Sequence, residues 1–367
     1  MSSRKQDESF MSECLRLAGQ GQGYVSPNPL VGSVIVKDGR VIGRGYHKKF
    51  GGAHAEMNAL QEAGRNTRGA TLYVNLEPCS HYGKTPPCTD AIVEAGIRRV
   101  VVGMIDPNPL VKGRGVRSLL SAGVKVHVGT LADECQTLNE FFIKKMTTGR
   151  PFVTLKVAQT LDGKIASPDR RAQWITSEES RRHVHQLRSE YDAVLIGANT
   201  ARIDDPRLTV RLVKGRNPKR VLLDGNLSTP LSSHLFSDAD LSRTIVIVRE
   251  HGNKEIERKK GILEQRGVEI VEVKGNRAGT IELRTVLKWL ADHDILSVLV
   301  EGGQRVFTQF LEQRLVDRLL VFVAPKLYGS VGVPGFGRIM HAVSFSSSSV
   351  EKIGEDVLIQ GDVQMRR

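Results

Sequence analysis

The sequence predicts an α/β protein built as two domains, and three observations carry that reading. From Val34 to Val128, apolar runs of strand length alternate with helical segments, which describes a sheet with helices on both faces. At Met146-Thr147-Thr148-Gly149-Arg150-Pro151 a helix end is followed by glycine and a strand-initiating proline. The boundary is therefore placed there, with one domain over 1–148 and the other over 149–367. Beyond it, strands and helices alternate again from Phe152 to Val323, and 367 residues are enough for a full core in each half.

In order along the first half, Val34–Lys37 and Arg40–Gly45 flank Asp38-Gly39, a strong type I′ hairpin signal. A helix follows His54, after Gly51-Gly52. Next come a strand over Ala70–Leu76, a helix over Thr89–Ala95 and a strand over Arg98–Met104. Pro86-Pro87 before that helix and Gly96 after it match the usual placement of proline in the first turn and glycine past the end. A helix after Gly115, a strand at Val124–Val128 and one closing helix over Asp133–Met146 complete this half.

The second half opens with a strand over Phe152–Val157. Thr176-Ser177-Glu178-Glu179 reads as a capping box that starts a helix running through Arg188. Strands are expected at Ala193–Gly197, Arg220–Asp224, Thr244–Val248, Val268–Val273, Leu296–Val300 and Leu319–Val323, with helices between several of them. Asn199 to Arg211 reads as a polar loop and Ser344–Ser349 as a low-complexity turn. No repeat of fixed period is evident.

Composition narrows the class. Forty per cent apolar and 25% charged residues are ordinary for a globular protein. Of four cysteines, two fall in a candidate metal cluster, which leaves Cys14 and Cys135 as buried thiols; this is no disulfide framework and points to a reducing cytoplasm. Met1–Ser9 lacks the apolar core of a signal peptide, and no apolar run approaches the roughly 20 residues of a membrane helix. The net charge of +13 raises the question of nucleic acid. Against it, Arg258-Lys259-Lys260 is the one short basic cluster, and 5% aromatics supply a poor stacking surface. Anionic small substrates account for the arginines equally well.

The chemistry concentrates between His54-Ala55-Glu56 and Glu77-Pro78-Cys79…Pro86-Pro87-Cys88. One imidazole and two thiolates suit Zn²⁺, and three protein ligands leave the fourth position for a water whose pKa falls from about 15.7 to roughly 7. Glu56 is not needed as a ligand and is free to carry protons. His-x-Glu followed by Pro-Cys…Cys is the signature of hydrolytic deamination of an aminated ring. That signature spaces its cysteines Cys-x-x-Cys, whereas a longer polar loop separates Cys79 from Cys88. Cys88 lies near a helix N-terminus, where the dipole favours its thiolate. Residues two apart occupy different helical faces, so the signature and not the spacing puts Glu56 beside the metal.

The second half has separate candidates. Val300-Glu301-Gly302-Gly303 ends a strand and opens a helix, where glycines let a phosphate reach free amides. Tight packing explains Gly-Gly nearly as often, and the run is not a Rossmann fingerprint. The arginines between Asn199 and Arg211 are shaped to clamp a phosphate, Arg207 and Arg211 above all, although generic surface loops share this composition. Lys156 interrupts an apolar strand, where a charge is costly unless paired. It either points to water from a strand edge or faces a site together with Asp204 or Glu301.

Pro27-Asn28-Pro29-Leu30-Val31-Gly32, with His54-Ala55-Glu56 and Glu77-Pro78-Cys79-Ser80-His81…Thr85-Pro86-Pro87-Cys88, resembles the bifunctional riboflavin-biosynthesis deaminase/reductases, in which the long loop between the cysteines is expected. Leu155-Lys156, Leu161-Asp162-Gly163-Lys164, Gln173-Trp174-Ile175-Thr176, Asp204-Asp205-Pro206 and Glu301-Gly302-Gly303 resemble their reductase half. The likeness spans nearly the whole chain, in order. It implies a cytidine-deaminase-like N-terminal domain, a dihydrofolate-reductase-like C-terminal domain, and Zn²⁺ and NADPH as cofactors. The implied substrate is a phosphoribosylated pyrimidine, deaminated at the ring before its ribosyl group is reduced to ribityl.

By position, the resemblance puts Asn28, His47, His81 and Lys84 in the deaminase pocket. It puts Ala158, Trp174, Thr200, Asp204 and Gly303 on the NADPH side, and Ala172, Arg188, Leu208, Arg211 and Glu301 on the substrate side. Where relatives can carry a hydroxyl this chain has Ala172, so only its backbone serves. Trp174 reads alternatively as a core aromatic. Lys156, Asp204 and Glu301 are the candidates for orienting the sugar and handling protons. A cytoplasmic homo-oligomer that binds neither nucleic acid nor membrane is expected. Two other readings stay open: a nucleotide or nucleic-acid zinc deaminase with an accessory domain, and a zinc-stabilised RNA-binding protein. NADPH binding to the segment 150–367 separates them, because only the first reading requires it.

Overall fold

The structure is a computed structural model, and it describes residues 3–80, 86–109, 111–167, 174–250, 252–276 and 279–364. The expected site residues His81, Lys84 and Ala172 lie outside the described residues. The chain divides into two compact units, Met1–Arg150 and Pro151–Arg367.

The first unit runs α1 (Ser3–Gly19), β1 (Gly32–Lys37), β2 (Arg40–Tyr46), α2 (Ala55–Ala63), β3 (Thr71–Leu76), α3 (Cys88–Glu94), β4 (Arg99–Met104), α4 (Arg114–Ser121), β5 (Lys125–Val128), α5 (Ala132–Leu138) and α6 (Glu140–Thr148). Its sheet has the order β2-β1-β3-β4-β5. β1 is antiparallel to both neighbours, while β3, β4 and β5 are parallel. Asp38 and Gly39 take positive φ of 49° and 74°, as a type I′ turn requires.

Side-chain alternation feeds two cores. Ile35, Leu72, Val74, Val100 and Val102 meet Ala59, Ala63, Ile92 and Leu119 on one face. Val34, Val36, Tyr73 and Val101 meet Met11, Cys14, Leu17 and Cys135 on the other. Helices thus cover both faces, and Cys14 and Cys135 are buried free thiols, as expected. The approach of α2 to β2 is close enough that a Cβ on Gly45 would lie 2.2 Å from the Ala55 carbonyl oxygen. Glycine at this point lets the start of α2, where His54 and Glu56 sit, press against the sheet.

Two features depart from expectation. Helix α1 was not anticipated, because its apolar stripe is thin among charged residues. Its docking depends on Asp7, which is buried, accepts from Tyr73 Oη at 2.8 Å and pairs bidentately with Arg99 at 2.6 and 2.9 Å. The single closing helix over Asp133–Met146 is instead two helices, α5 and α6, broken at Asn139 with φ −107° and ψ 17°. Asn139 leaves helical geometry to bind the backbone of Leu30, accepting from its N–H at 2.8 Å and donating to its carbonyl at 3.0 Å.

The second unit runs β6 (Phe152–Thr160), β7 (Lys164–Ala166), α7 (Glu178–Glu190), β8 (Ala193–Gly197), α8 (Ala198–Asp204), β9 (Lys219–Leu223), β10 (Thr244–Arg249), α9 (Lys254–Gln265), β11 (Glu269–Val273), α10 (Leu283–Asp292), β12 (Ser297–Val300), α11 (Gln304–Glu312), β13 (Arg318–Ala324), β14 (Val333–Pro334), β15 (Ser344–Ile353) and β16 (Asp356–Gln364). Among the described residues, nine strands form one sheet in the order β11-β10-β9-β8-β12-β6-β13-β16-β15. From β11 to β13 every pairing is parallel; β16 and β15 close the sheet as an antiparallel hairpin. Helices α10 and α11 pack on one face, and α7 packs on the other.

Three local expectations are corrected here. Ser344–Ser349, expected as a turn, is the first part of β15, because an outer strand needs only backbone pairing with β16 and no apolar alternation. Asn199–Arg211, expected as a loop throughout, is helical up to Asp204 in α8 and turns at Asp205 with φ 39°. The cap of α7 is Ser177, whose Oγ accepts from the Ser180 N–H at 3.3 Å, rather than Thr176. Asp356 of β16 takes over the glutamate's expected part, accepting from the Ser177 N–H at 2.8 Å and from the hydroxyls of Ser177 and Ser180 at 2.8 and 2.6 Å.

Two candidate active sites

In the first unit three ends of secondary structure supply the donors. His54 is the extended N-cap of α2, Cys79 follows β3, and Cys88 is the first residue of α3. Their donor atoms all lie within 4.8 Å of one another. His54 Nδ1 is 3.3 Å from Cys88 Sγ and 3.5 Å from Cys79 Sγ. A tetrahedral zinc bound at ~2.0 Å to nitrogen and ~2.3 Å to sulfur sets such atoms ~3.5 Å apart, so the donor set fits the metal. The Cys88 N–H donates to Cys79 Sγ at 3.3 Å; the closeness of the two sulfurs holds the Cys79 thiol low, while the same closeness and burial push Cys88 upward. Of the two, Cys79 is the thiol that gives up its proton more easily.

Glu56 stands in the first turn of α2 and is buried, within range of the charges of Cys79 and His54. Spacing alone left open whether Glu56 would lie near the donors; its carboxyl feels the charges of two of them, Cys79 and His54. Burial, helped by the Cys79 charge, lifts its carboxyl to about 7. A group poised there gives and takes protons near neutral pH.

The expected pocket residues Asn28 and His47 are brought to the same end of the sheet. The ring of His47 lies 5.8 Å, edge on, from that of His54. Its Nδ1 is 3.0 Å from the Ala53 carbonyl, which only accepts, so Nδ1 carries the proton and Nε2 receives the Asn28 amide at 3.0 Å. Burial lowers the pKa of His47, in keeping with this neutral form. Buried Asn75 joins Asn139 in gripping the segment that carries Asn28: it accepts from the Gly32 N–H at 2.8 Å and donates to the Leu30 carbonyl at 2.9 Å.

One residue quoted only as part of a motif proves structural. Glu77, buried just before Pro78-Cys79, accepts backbone N–H bonds from Asp106, Gly113 and Val116 at 3.1, 2.9 and 3.0 Å. It ties the cysteine segment to the loop between β4 and α4. An acid immediately ahead of Pro-Cys was the only signal for it.

The second site is a cavity of about 1270 Å³ over the carboxyl ends of the parallel strands. Open α/β sheets bind their ligands in that position. At its centre the Glu301 carboxylate, directly after β12, receives Arg188 Nε at 2.6 Å and Nη2 at 2.8 Å. Lys156 Nζ lies 4.0 Å from the same carboxylate, so its side chain faces Glu301 and not water. Burial would raise the Glu301 carboxyl, but the Arg188 guanidinium prevails and holds it low. Burial also lowers Lys156, against the pull of Glu301.

Around this pair, Arg188 Nη1 donates to the Thr209 carbonyl at 3.2 Å, and Arg211 Nη1 donates to the Thr209 hydroxyl at 2.6 Å. His185, which the sequence did not single out, accepts the Arg211 N–H at 2.9 Å. It lies on α7 one turn before Arg188. Buried Arg220, also missed, holds the Arg207 carbonyl at 3.1 Å. Leu208 between them is buried with φ 56° and lines the cavity.

The residues expected on the NADPH side, Ala158, Trp174, Thr200, Asp204 and Gly303, all line the cavity as well. Trp174 is 72% exposed, with Arg181 stacked 4.9 Å from its ring, so it is no core aromatic. Gly303 has φ 74° and caps α11; a Cβ there would meet Thr200 Oγ1 at 2.9 Å. Asp204, at the end of α8, makes no hydrogen bond to Lys156 or Glu301 among the described residues.

Comparison with known proteins follows this division. The family model described as the cytidine and deoxycytidylate deaminase zinc-binding region matches residues 4–104, and the RibD C-terminal domain matches residues 151–359. The riboflavin biosynthesis protein RibD of Aquifex aeolicus is 46% identical over 97% of this chain and 98% of its own length. The solved RibD of Acinetobacter baumannii superposes with a TM-score of 0.90 at 36% identity, covering 99% of this chain and 100% of that one. A Thermotoga maritima structure described as a diaminohydroxyphosphoribosylaminopyrimidine deaminase/5-amino-6-(5-phosphoribosylamino)uracil reductase superposes with a TM-score of 0.83 at 41% identity, covering 98% and 99%. By these likenesses the chain belongs to the RibD family of riboflavin-biosynthesis proteins, which join a zinc-binding, cytidine-deaminase-like domain to an NADPH-dependent, dihydrofolate-reductase-like domain in one polypeptide.

Proposed function

We propose that this enzyme deaminates a phosphoribosylated diaminopyrimidine in the domain over 1–148 and reduces the product's ribosyl group to ribityl in the domain over 149–367. The observation that carries the first step is the buried carboxyl of Glu56 in the same first turn that His54 caps, near the three clustered donors His54, Cys79 and Cys88. Zinc held by those donors supplies the Lewis acidity that makes a water nucleophilic near neutral pH. Glu56 takes the proton of the attacking water and returns it to the departing ammonia. Asn28, His47, His81 and Lys84 bind the substrate, with His47 fixing the Asn28 amide.

For the second step, NADPH, when bound, would supply the hydride for the carbonyl of the opened sugar. Lys156, its pKa lowered by burial, delivers the proton that the resulting oxygen needs, and Glu301 and Arg188 hold the sugar. Ala158, Trp174, Thr200, Asp204 and Gly303 seat the cofactor. Ala172, Leu208 and Arg211 complete the substrate side, with Arg207 and Arg211 on its phosphate. A cytoplasmic location accords with four free cysteines. Association of copies accords with Leu161, Leu327 and Val331, exposed by 68, 69 and 70%. No helix among the described residues is long and apolar enough to cross a membrane. We read the net charge as serving anionic ligands rather than nucleic acid.

The test is purified protein given the phosphoribosylated diaminopyrimidine, with and without NADPH, followed by mass. Amine should exchange for carbonyl in both samples, and two hydrogens should be gained only with cofactor. No exchange would refute the reading. In the same assay Arg211→Ala should deaminate normally but need about 10-fold more intermediate, or more, for half-maximal reduction. An unchanged KM would return Arg211 to the solvated surface.

Lys156→Met preserves the Arg188–Glu301 pair and removes the proton donor. Reductase kcat should fall about 10²-fold or more while deamination is untouched. Full reductase activity would leave Lys156 as a mere neighbour of Glu301.

A further inference from the structure

The segment Arg207–Arg211, between α8 and β9, puts Arg207, Leu208 and Arg211 on the wall of the second unit's cavity. It belongs to no helix or strand, yet four side chains hold its backbone. Arg220 Nη1 donates to the Arg207 carbonyl at 3.1 Å, and Arg188 Nη1 donates to the Thr209 carbonyl at 3.2 Å. Asn217 Oδ1 accepts the Val210 N–H at 2.8 Å, and His185 Nδ1 accepts the Arg211 N–H at 2.9 Å. We propose that His185 is a positioning residue of the reductase: as a neutral imidazole it fixes the Arg211 backbone and so aims that guanidinium at the phosphate of the substrate. The proposal rests on the reading of Arg211 as a phosphate ligand and names the group that sets its direction.

The segment needs such fastening. Leu208 holds φ 56°, a left-handed backbone that a branched residue keeps only where its surroundings impose it. Released from its anchors the turn would relax, and the arginine at its end would lose its fixed direction. The tip of Arg211 is steadied by the Thr209 hydroxyl, which accepts from Nη1 at 2.6 Å. Thr209 belongs to the same segment, however, and moves with it. His185 instead ties the Arg211 N–H to α7, a helix that packs against the sheet.

A histidine beside a phosphate site is often a further cation. Here the geometry forbids it. An N–H aimed at Nδ1 needs a lone pair there, so the ring hydrogen sits on Nε2 and the imidazole is neutral. The surroundings enforce the same state. His185 is buried, and the charges facing it are Arg188 on α7, Arg211 on the held segment, Lys156 on β6 and Glu301 after β12. Burial first, then Arg188 and Arg211, lower its pKa from 6.5 to about 4, with Glu301 opposing. The neutral form, and with it the hold on Arg211, is therefore present above that value and lost as the pH falls through it. Of the four side chains, His185 alone has this dependence, because arginine stays charged and asparagine does not titrate.

The experiment measures steady-state reduction of the deaminated intermediate by the full-length protein. Asparagine carries its amide oxygen where histidine carries Nδ1. The glutamine amide reaches the place of Nε2 instead and leaves the Arg211 N–H without its acceptor. His185→Gln should raise the KM for the intermediate about 10-fold with kcat within about 3-fold, and His185→Asn should recover most of that affinity. Because His185 acts through Arg211, adding His185→Gln to Arg211→Ala should raise KM no further. From about pH 8 to about pH 5.5 the wild-type KM should run parallel to that of His185→Asn, which has nothing to titrate there. Equal KM values for the two His185 variants, a loss in kcat instead of KM, multiplying effects in the double variant, or a KM that improves towards acid in the wild type alone would each overturn the role of His185 and leave Arg211 as a phosphate ligand. An unchanged KM in Arg211→Ala would overturn both.

Discussion

Glu56→Gln should lose about 10²- to 10⁴-fold in deamination rate at full zinc occupancy. Glutamine keeps the size and polarity of the side chain, so the buried start of α2 need not rearrange. It cannot ionise, and its amide cannot take a proton from water and pass it to a leaving amine. His54, Cys79 and Cys88 are untouched, so metal content measured by elemental analysis should match the wild type. Cys88→Ser provides the contrast, because a hydroxyl replaces the thiolate and both metal and activity should go. Reduction of separately supplied deaminated intermediate should persist in both proteins. Normal deamination by Glu56→Gln would remove the carboxylate from the mechanism and leave the cluster a structural one.

Arg188→Met should be the most damaging single change in the second unit. The side chains of Arg188 and Glu301 are only 11 and 7% exposed, and they meet through two short hydrogen bonds. With the guanidinium gone, the carboxylate is left buried with Lys156 at 4.0 Å. Breaking such a pair from one side costs about 3–5 kcal/mol. In a unit of this size that corresponds to roughly 6–20 °C in the melting temperature. Calorimetry should show the loss, and adding Glu301→Gln should recover part of it by removing the stranded charge. Deamination and zinc content should not change. A melting curve that matches the wild type would mean that water or a neighbour compensates Glu301, and the pair would lose its structural importance.

How much of this was legible in the sequence depends on how far apart the interacting residues lie. His54, Cys79 and Cys88 were readable because metal chemistry restricts their types and they sit close together. The placement of Glu56 was ambiguous for a physical reason that the structure exposes. His54 is the extended N-cap, with φ −69° and ψ 162°, so the rotation of about 100° per residue does not apply between it and Glu56. Contacts between distant segments left no local trace. Arg188 reaches across 113 residues to Glu301, Asn139 across 109 to Leu30, and Asp356 across 179 to Ser177.

The same limit explains the missed break at Asn139. A helical pattern runs through it, and only the distant Leu30 backbone gives the asparagine a reason to leave the helix. Most strands of the second unit were visible as Val/Ile/Leu runs, since parallel strands buried on both faces are apolar throughout. The serine-rich start of β15 had no such run, and it went unread.

That serine-rich strand has a bearing on how the protein behaves when crowded. β15 ends the nine-stranded sheet, and bare strand edges invite aggregation through pairing with other chains. Phe345 and Val350 on it are 41 and 70% exposed, which would add to the hazard. Its ladder is interrupted, however: Ser346 faces Asp362 and Ser349 faces Gln360, so Ser347 and Ser348 together stand opposite Gly361. Ser347 takes φ 50° in this bulge, which twists the edge and spoils the even row of amides that an incoming strand would need. The bulge acts as a terminator that keeps the sheet at nine strands and protects the chain against polymerising through this edge.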